Sequence, residues 1–278
     1  MAIGFLLVYW RVLVQLIAAW WTDGNYSHGF FIVPLAAYLA WERRHRFNAV
    51  RQRPQAAGLL VVAGSLLVLA AGVLGAELFL TRISLLGTAA GIVLFLWGWA
   101  RLRVLIFPLA FLLLMIPLPA IVFNQLTFPL QLIASRVGES TLRFAGIPVL
   151  REGNVLILPR TTLEVAEACS GIRSLVSLLT LGIVVGHFAD PRGWMRTAIA
   201  LSSIPVAIVA NGARVAGTGV VAQVFGAATA IGFLHEFSGW ILFVAAFLMM
   251  LGVARALLWL APPHASGRMT GWATQEER

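Results

Sequence analysis

Apolar residues run along this chain in long blocks separated by short polar links, the pattern of helices that cross a lipid bilayer. Blocks at roughly 3–21, 29–42, 58–76, 83–99, 103–121, 170–187, 197–217 and 236–261 predict about eight transmembrane helices. A hydrocarbon layer about 30 Å thick takes about 17–25 residues of helix, and most of these blocks are that long. The second is short and the first contains Arg11. One segment between blocks, about 122–169, is too long to be a simple link. In its first part, Asn124 to Phe144, apolar residues recur at helical spacing between polar ones, as in a helix lying along a membrane surface. Its second part reads as a β-hairpin: Pro148 to Leu150, a turn at Arg151-Glu-Gly-Asn154, then Val155 to Leu158. A further strand-like stretch, Thr161 to Val165, leads towards Cys169.

Composition agrees with that pattern. Of 278 residues, 60% are hydrophobic and 11% charged, with a mean hydropathy of +0.90. A soluble domain of this length would need far more polar residues to cover its surface. The fold class expected is an all-α polytopic membrane protein with about eight transmembrane helices. It forms a single integral-membrane domain over 1–278, with an extracytoplasmic insertion at about 122–169 holding a small β-hairpin, and a cytoplasmic tail at about 262–278.

Charge then orients the chain. The net charge is +9 and all 20 basic residues are arginines. A nucleic-acid partner is not expected, because no soluble domain exists to bind one. Arg43, Arg44, Arg46, Arg51 and Arg53 follow the second block; Arg101 and Arg103, then Arg192 and Arg196, lie in later links on the same side. The alternate links are leaner: Asp23 to His28 has no arginine and Gly75 to Arg82 has one. Clustered arginines mark cytoplasmic links, so both termini are expected in the cytoplasm. The first block ends in Trp20-Trp21 without small residues, so no cleavable signal peptide is expected. A single cysteine excludes an intrachain disulfide and a cysteine-rich metal site.

That cysteine lies in Glu167-Ala-Cys169-Ser170-Gly171-Ile-Arg173, where the long outer segment enters the sixth block. A thiol attacks as thiolate, and a helix N-terminus or a nearby cation favours the thiolate. This position offers both, with Arg173 one turn on; the helix N–H groups would also suit an oxyanion, and Gly171 would let a substrate backbone approach. The alternative is a small residue filling a gap between helices. Asn211-Gly-Ala-Arg214 comes near the outer end of the seventh block. A permanent cation there serves to hold a carbonyl oxygen, an oxyanion or a carboxylate, or else it snorkels to headgroups. His235 opens the eighth block beside Glu236, as a general acid or base, or as an interfacial histidine facing water.

Up-down alternation puts all three at one membrane face. A nucleophile, a fixed cation and a proton carrier at one depth are the parts of a thiol acyl-transfer site. His28, in Asp23 to Gly29, lies on the same face and would border it. His45, His187 and His264 are expected to be solvated. No metal-ligand spacing and no phosphate-binding loop occurs, so no cofactor is expected. Two readings from other classes compete: a transporter or lipid-linked glycan-handling protein with an anionic-ligand site at its outer face, and a non-catalytic membrane scaffold.

The block Glu167 to Arg173, the block Asn211 to Arg214 and the outer His235 resemble the signature blocks of the exosortase/archaeosortase family. Tyr26-Ser-His28-Gly29-Phe30 and Ile147 to Asn154 are also similar to exosortases, and the resemblance runs from about Trp21 to Trp259. It implies an eight-span bacterial inner-membrane cysteine peptidase or transpeptidase for exopolysaccharide-associated protein sorting. Its substrates would be exported proteins whose C-terminal tail carries a short motif such as Pro-Glu-Pro, a transmembrane helix and a basic cluster. The family's catalytic cysteine, arginine and histidine carry over to Cys169, Arg214 and His235, with Arg173, Glu167, Ser170, Asn211 and His28 in supporting places.

Overall fold

The computed structural model describes residues 2–165, 171–226 and 233–261, and for 2 and 233–238 the backbone alone. Glu167, Cys169, Ser170 and the expected tail at 262–278 lie outside the described residues.

The helices are α1 (Ala2–Thr22), α2 (Gly29–Glu42), α3 (Arg44–Ala49), α4 (Ala57–Leu74), α5 (Leu78–Trp97), α6 (Trp99–Phe111), α7 (Ala120–Phe144), α8 (Ile172–Ala189), α9 (Gly193–Phe225) and α10 (Phe233–Leu260). A short 3-10 helix, Leu112–Met115, extends α6. Three strands, β1 (Leu150–Glu152), β2 (Val155–Ile157) and β3 (Thr162–Glu164), form one antiparallel sheet in that order. This is an all-α polytopic membrane protein with a small sheet.

Among the described residues, six helices are long and apolar enough to cross a membrane, at 3–22, 57–74, 78–97, 172–189, 193–225 and 239–260. The expected count of about eight is met roughly, two of the blocks forming shorter helices. α2 has 14 residues, about 21 Å, and falls short of the layer by itself. The fifth block divides at Ile116 to Pro119, and α7 leaves the preceding helix at 77°; the pair counts as a seventh span only if taken together. Two prolines, Pro117 and Pro119, explain the break, since neither can donate to a helical ladder.

In lipid, close packing and buried hydrogen bonds hold helices together. Tyr9 of α1 is fully buried, its hydroxyl 2.7 Å from Thr88 Oγ1 and donating to Ser84 Oγ at 3.2 Å on α5. Trp20 Nε1 donates to the Met115 carbonyl at 2.9 Å. Tyr9, Leu16, Ile32, Leu39, Leu85 and Phe111 form the core of the N-terminal half, and Ile183 and Val184 of α8 pack against it. Leu178, Val206, Ala207, Ala246 and Met250 join α8, α9 and α10.

The arginine-rich links gather at one end of the bundle. Arg43 Nη1 donates to the Val104 carbonyl at 3.0 Å and Arg101 Nε to that of Val50 at 3.1 Å. His187, expected to be solvated, is instead buried. Its Nε2 is 3.1 Å from Glu42 Oε2, its Nδ1 3.3 Å from Arg196 Nη1, and its ring stacks on Phe107. A histidine in an apolar run is kept there by such partners, which hydropathy does not register.

Candidate functional site

At the other end, α9 is the organising element. It has 33 residues and continues past the expected limit at 217, so Arg214 lies within a helix and not at its end. Counted from Gly193, Arg214 stands roughly 30 Å along the axis, about the thickness of a hydrocarbon layer. The remaining turns run on to Phe225 beside α7. Gly138 of α7 and Gly212 and Gly219 of α9 bring those two helices together: a β-carbon at Gly219 would stand 2.9 Å from Leu142.

Asn211 and Arg214 are three residues apart on α9 and share a face. Asn211 is 6% exposed. Against it lies Gly171, which precedes α8 with φ 82° and ψ 2°. A β-carbon on Gly171 would stand 2.7 Å from Asn211 Cγ and 2.9 Å from Nδ2. Glycine is thus required twice, for the left-handed turn and for the contact. The side of Gly171 on which a β-carbon would stand is taken by the chain's own asparagine.

Two clefts flank Asn211. One, between α7, α8 and α9, is lined by Leu130, Ile133, Leu175 and Ile208 besides Gly171 and Asn211. The other, between α8, α9 and α10, has Ser174, Asn211, Arg214 and Gly239 at its polar part and Phe243 and Ala246 below. The Arg214 guanidinium lies on Gly239, with Nη2 2.8 Å from where a β-carbon would be. His235 is four residues before Gly239, one turn earlier on the same face of α10. Its side chain lies outside the described residues.

Arg173, in the first turn of α8, lies against Gly24 of the loop between α1 and α2. A β-carbon there would stand 2.6 Å from Arg173 Nη2. His28 ends that loop, its Nε2 3.1 Å from the Leu114 carbonyl. Burial lowers its pKa from the ordinary imidazole value, against the raising effect of its hydrogen bonds to the backbone at Leu114 and Asn25. It braces the loop to the 3-10 helix.

The small sheet delivers the chain to this place. Its hairpin turns at Gly153-Asn154 with φ 64° at Gly153 and no positive φ at Asn154, the pattern of a type II′ turn. Leu156, Leu158 and Val165 pack with Ala134 and Leu142 of α7 and Val215 of α9. Val165 N donates to the Asn154 carbonyl at 2.9 Å. Ser135 Oγ donates to the Gly153 carbonyl at 3.0 Å, and Glu139 pairs with both Arg143 and Arg151 at 2.8 Å. Glu167, Cys169 and Ser170 are outside the described residues; the described chain on either side is anchored, Val165 in the cluster of Val215 and Gly171 on Asn211. Both anchors belong to one turn of α9.

Ser174 and Gly239 were not singled out from the sequence. Neither has a motif around it, and only their place in the Arg214 cleft marks them. Arg82, read there only as a charge in a link, is 6% exposed within α5, and its Nε finds no hydrogen-bond partner among the described residues. Among the described residues, no three His, Cys, Asp or Glu side chains stand together so as to hold a metal ion.

A family model described as transmembrane exosortase matches residues 20–252, which takes in every element of this site. The chain belongs to the transmembrane exosortase family. At the level of the family, these are multi-pass proteins of the membrane that act as protein-sorting transpeptidases. No curated protein and no solved structure matches the chain.

Proposed function

We propose that this chain is a cysteine transpeptidase that cleaves C-terminal sorting tails from exported proteins at the outer face of the bacterial inner membrane. The tail would carry a short motif, a transmembrane helix and a basic cluster. The arginine-rich end faces the cytoplasm by the positive-inside rule, both termini with it, and the Arg214 end faces outward. The observation that carries the reading is convergence on one face of α9. Gly171, two residues after Cys169, packs on Asn211, and Gly239, one turn after His235, packs on Arg214. Two peptide links limit the Cα separation of Cys169 and Gly171 to about 7 Å. One helical turn is about 6 Å.

In this reading the Cys169 thiolate attacks the scissile carbonyl. Arg214 takes up the charge that develops on the carbonyl oxygen, where a fixed cation in a water-poor cleft acts most strongly. As the tetrahedral intermediate collapses, the C–N bond breaks and His235 gives its proton to the departing amine. The acyl group is left on the sulfur as a thioester. An acceptor amine, or water, then attacks the thioester carbon, giving up a proton to His235 and releasing the thiolate. Arg173 and His28 line the approach from the loop between α1 and α2, while Glu167 and Ser170 flank the thiol in the sequence.

The test is trapping. In proteoliposomes with a tailed substrate, N-ethylmaleimide on the sole cysteine should abolish processing. Hydroxylamine added during turnover should release the upstream fragment as a hydroxamate. Full processing by alkylated protein would contradict the proposal.

A further inference from the structure

Asn211 is the one residue that touches both clefts, and its surroundings are built around it. A buried primary amide is costly unless its polar atoms are satisfied, and Asn211 is not without a partner there. Opposite it the chain has a residue with no side chain, held at φ 82°, with its backbone so near that a β-carbon would stand 2.7–2.9 Å from three atoms of the asparagine. The amide and the turn are a matched fit: neither a larger residue at 171 nor a branched one at 211 leaves room for the other. The turn it supports leads back in two residues to Cys169. The next turn of the same helix face carries Arg214. Asn211 thus sits between the Gly171 turn and the cation.

We infer that Asn211 is a positioning residue: its amide, seated under the Gly171 turn, fixes the distance and register between the Cys169 segment and Arg214. This rests on the reading of Cys169 and Arg214 as the reacting groups. It goes beyond that reading by giving a separate task to a side chain that need not touch the substrate. An error of about 1 Å in such an arrangement costs about a hundredfold in rate, because the attack geometry is lost while substrate binding elsewhere is not.

Asn211→Ala removes the amide, and Asn211→Asp keeps its shape but replaces the NH2 donor. Three readouts apply to the full chain in proteoliposomes: kcat and KM on a tailed substrate, the thermal midpoint, and the pH profile of N-ethylmaleimide addition. Because the chain has one cysteine, the last reports Cys169 alone. Both variants should lose about a hundredfold in kcat with KM changed by no more than about threefold. The pH midpoint of alkylation should move in both, while the thermal midpoint stays near that of the parent. A variant with parental kcat and an unmoved alkylation profile overturns the inference. So does a loss of activity that only follows the loss of folded protein, the folded fraction alkylating like the parent. Cys169→Ala run in parallel separates the two layers: if it still processes substrate, the function proposed above fails. If it is inactive while Asn211→Asp behaves like the parent, only the role of Asn211 fails.

Discussion

The guanidinium of Arg214 on α9 rests on Gly239 of α10, with Nη2 2.8 Å and Cζ 3.2 Å from the point where a β-carbon would stand. Arg214 and the helix that begins at Phe233 are therefore held in contact by the absence of a side chain. The far end of an arginine is flexible, so a methyl group there displaces the cation more than it strains the fold.

Gly239→Ala is accordingly expected to lower kcat by about tenfold to a hundredfold while shifting the thermal midpoint little. Steady-state kinetics beside a thermal melt of the same preparation check this. An unchanged kcat would show that the seat of Arg214 on α10 is not used in the reaction.

Gly171 combines left-handed backbone with close contact, whereas Gly146, at φ 77°, has open space where its side chain would be. Gly146→Ala should cost about 1 kcal/mol from backbone strain alone. Gly171→Ala should cost about 2–3 kcal/mol, the excess coming from the collision with Asn211. Equal losses of stability in the two variants would show that the contact is loose.

Leu156 is fully buried between the sheet and α7. Leu156→Ala should destabilise the sheet and its packing on α7 by about 2–5 kcal/mol and open the stretch 146–165 to protease. The membrane helices should stay protected. Protection of the hairpin in the variant would contradict the packing described.

Much of this was open to reading before any coordinates. The apolar blocks located α1, α4, α5, α8 and α10 to within a few residues. The turn residues Arg-Glu-Gly-Asn between the short apolar stretches Pro148 to Leu150 and Val155 to Leu158 found the hairpin. Asn211-Gly-Ala-Arg214 stood out as a polar block in an apolar run. Other features depend on what two distant segments do together, and no local pattern carries that. Hydropathy sees 103–121 as one span, yet Pro117 and Pro119 stop the helix and α7 turns away. It ends α9 near 217, about one bilayer crossing from its start, although the helix continues to Phe225. His187 and Arg82 look like solvated charges in links until the helices around them are assembled. Gly171 and Gly239 are meaningful only opposite Asn211 and Arg214.

Burial holds the imidazole of His28 below its ordinary value of 6.5, against the raising effect of its backbone hydrogen bonds. In the window between the lowered folded value and 6.5, the unfolded chain binds a proton that the folded chain does not. This contribution to stability is complete above the window and is lost as pH falls through it. His28→Gln should flatten that part of the curve. Thermal midpoints of parent and variant between about pH 7.5 and about pH 5 measure it. A parent whose stability does not fall over that range, relative to His28→Gln, would contradict the buried neutral state.

The central claim is that the single thiol forms a bond to the substrate. Cys169→Ser keeps the size of the side chain and replaces the nucleophile with one that is far less reactive at neutral pH. Processing of a tailed substrate in membranes, followed as the appearance of the shortened product, should fall to background in this variant with expression and melting unchanged. Product formation at the parental rate would mean that the bond is broken without Cys169, and the account would be wrong.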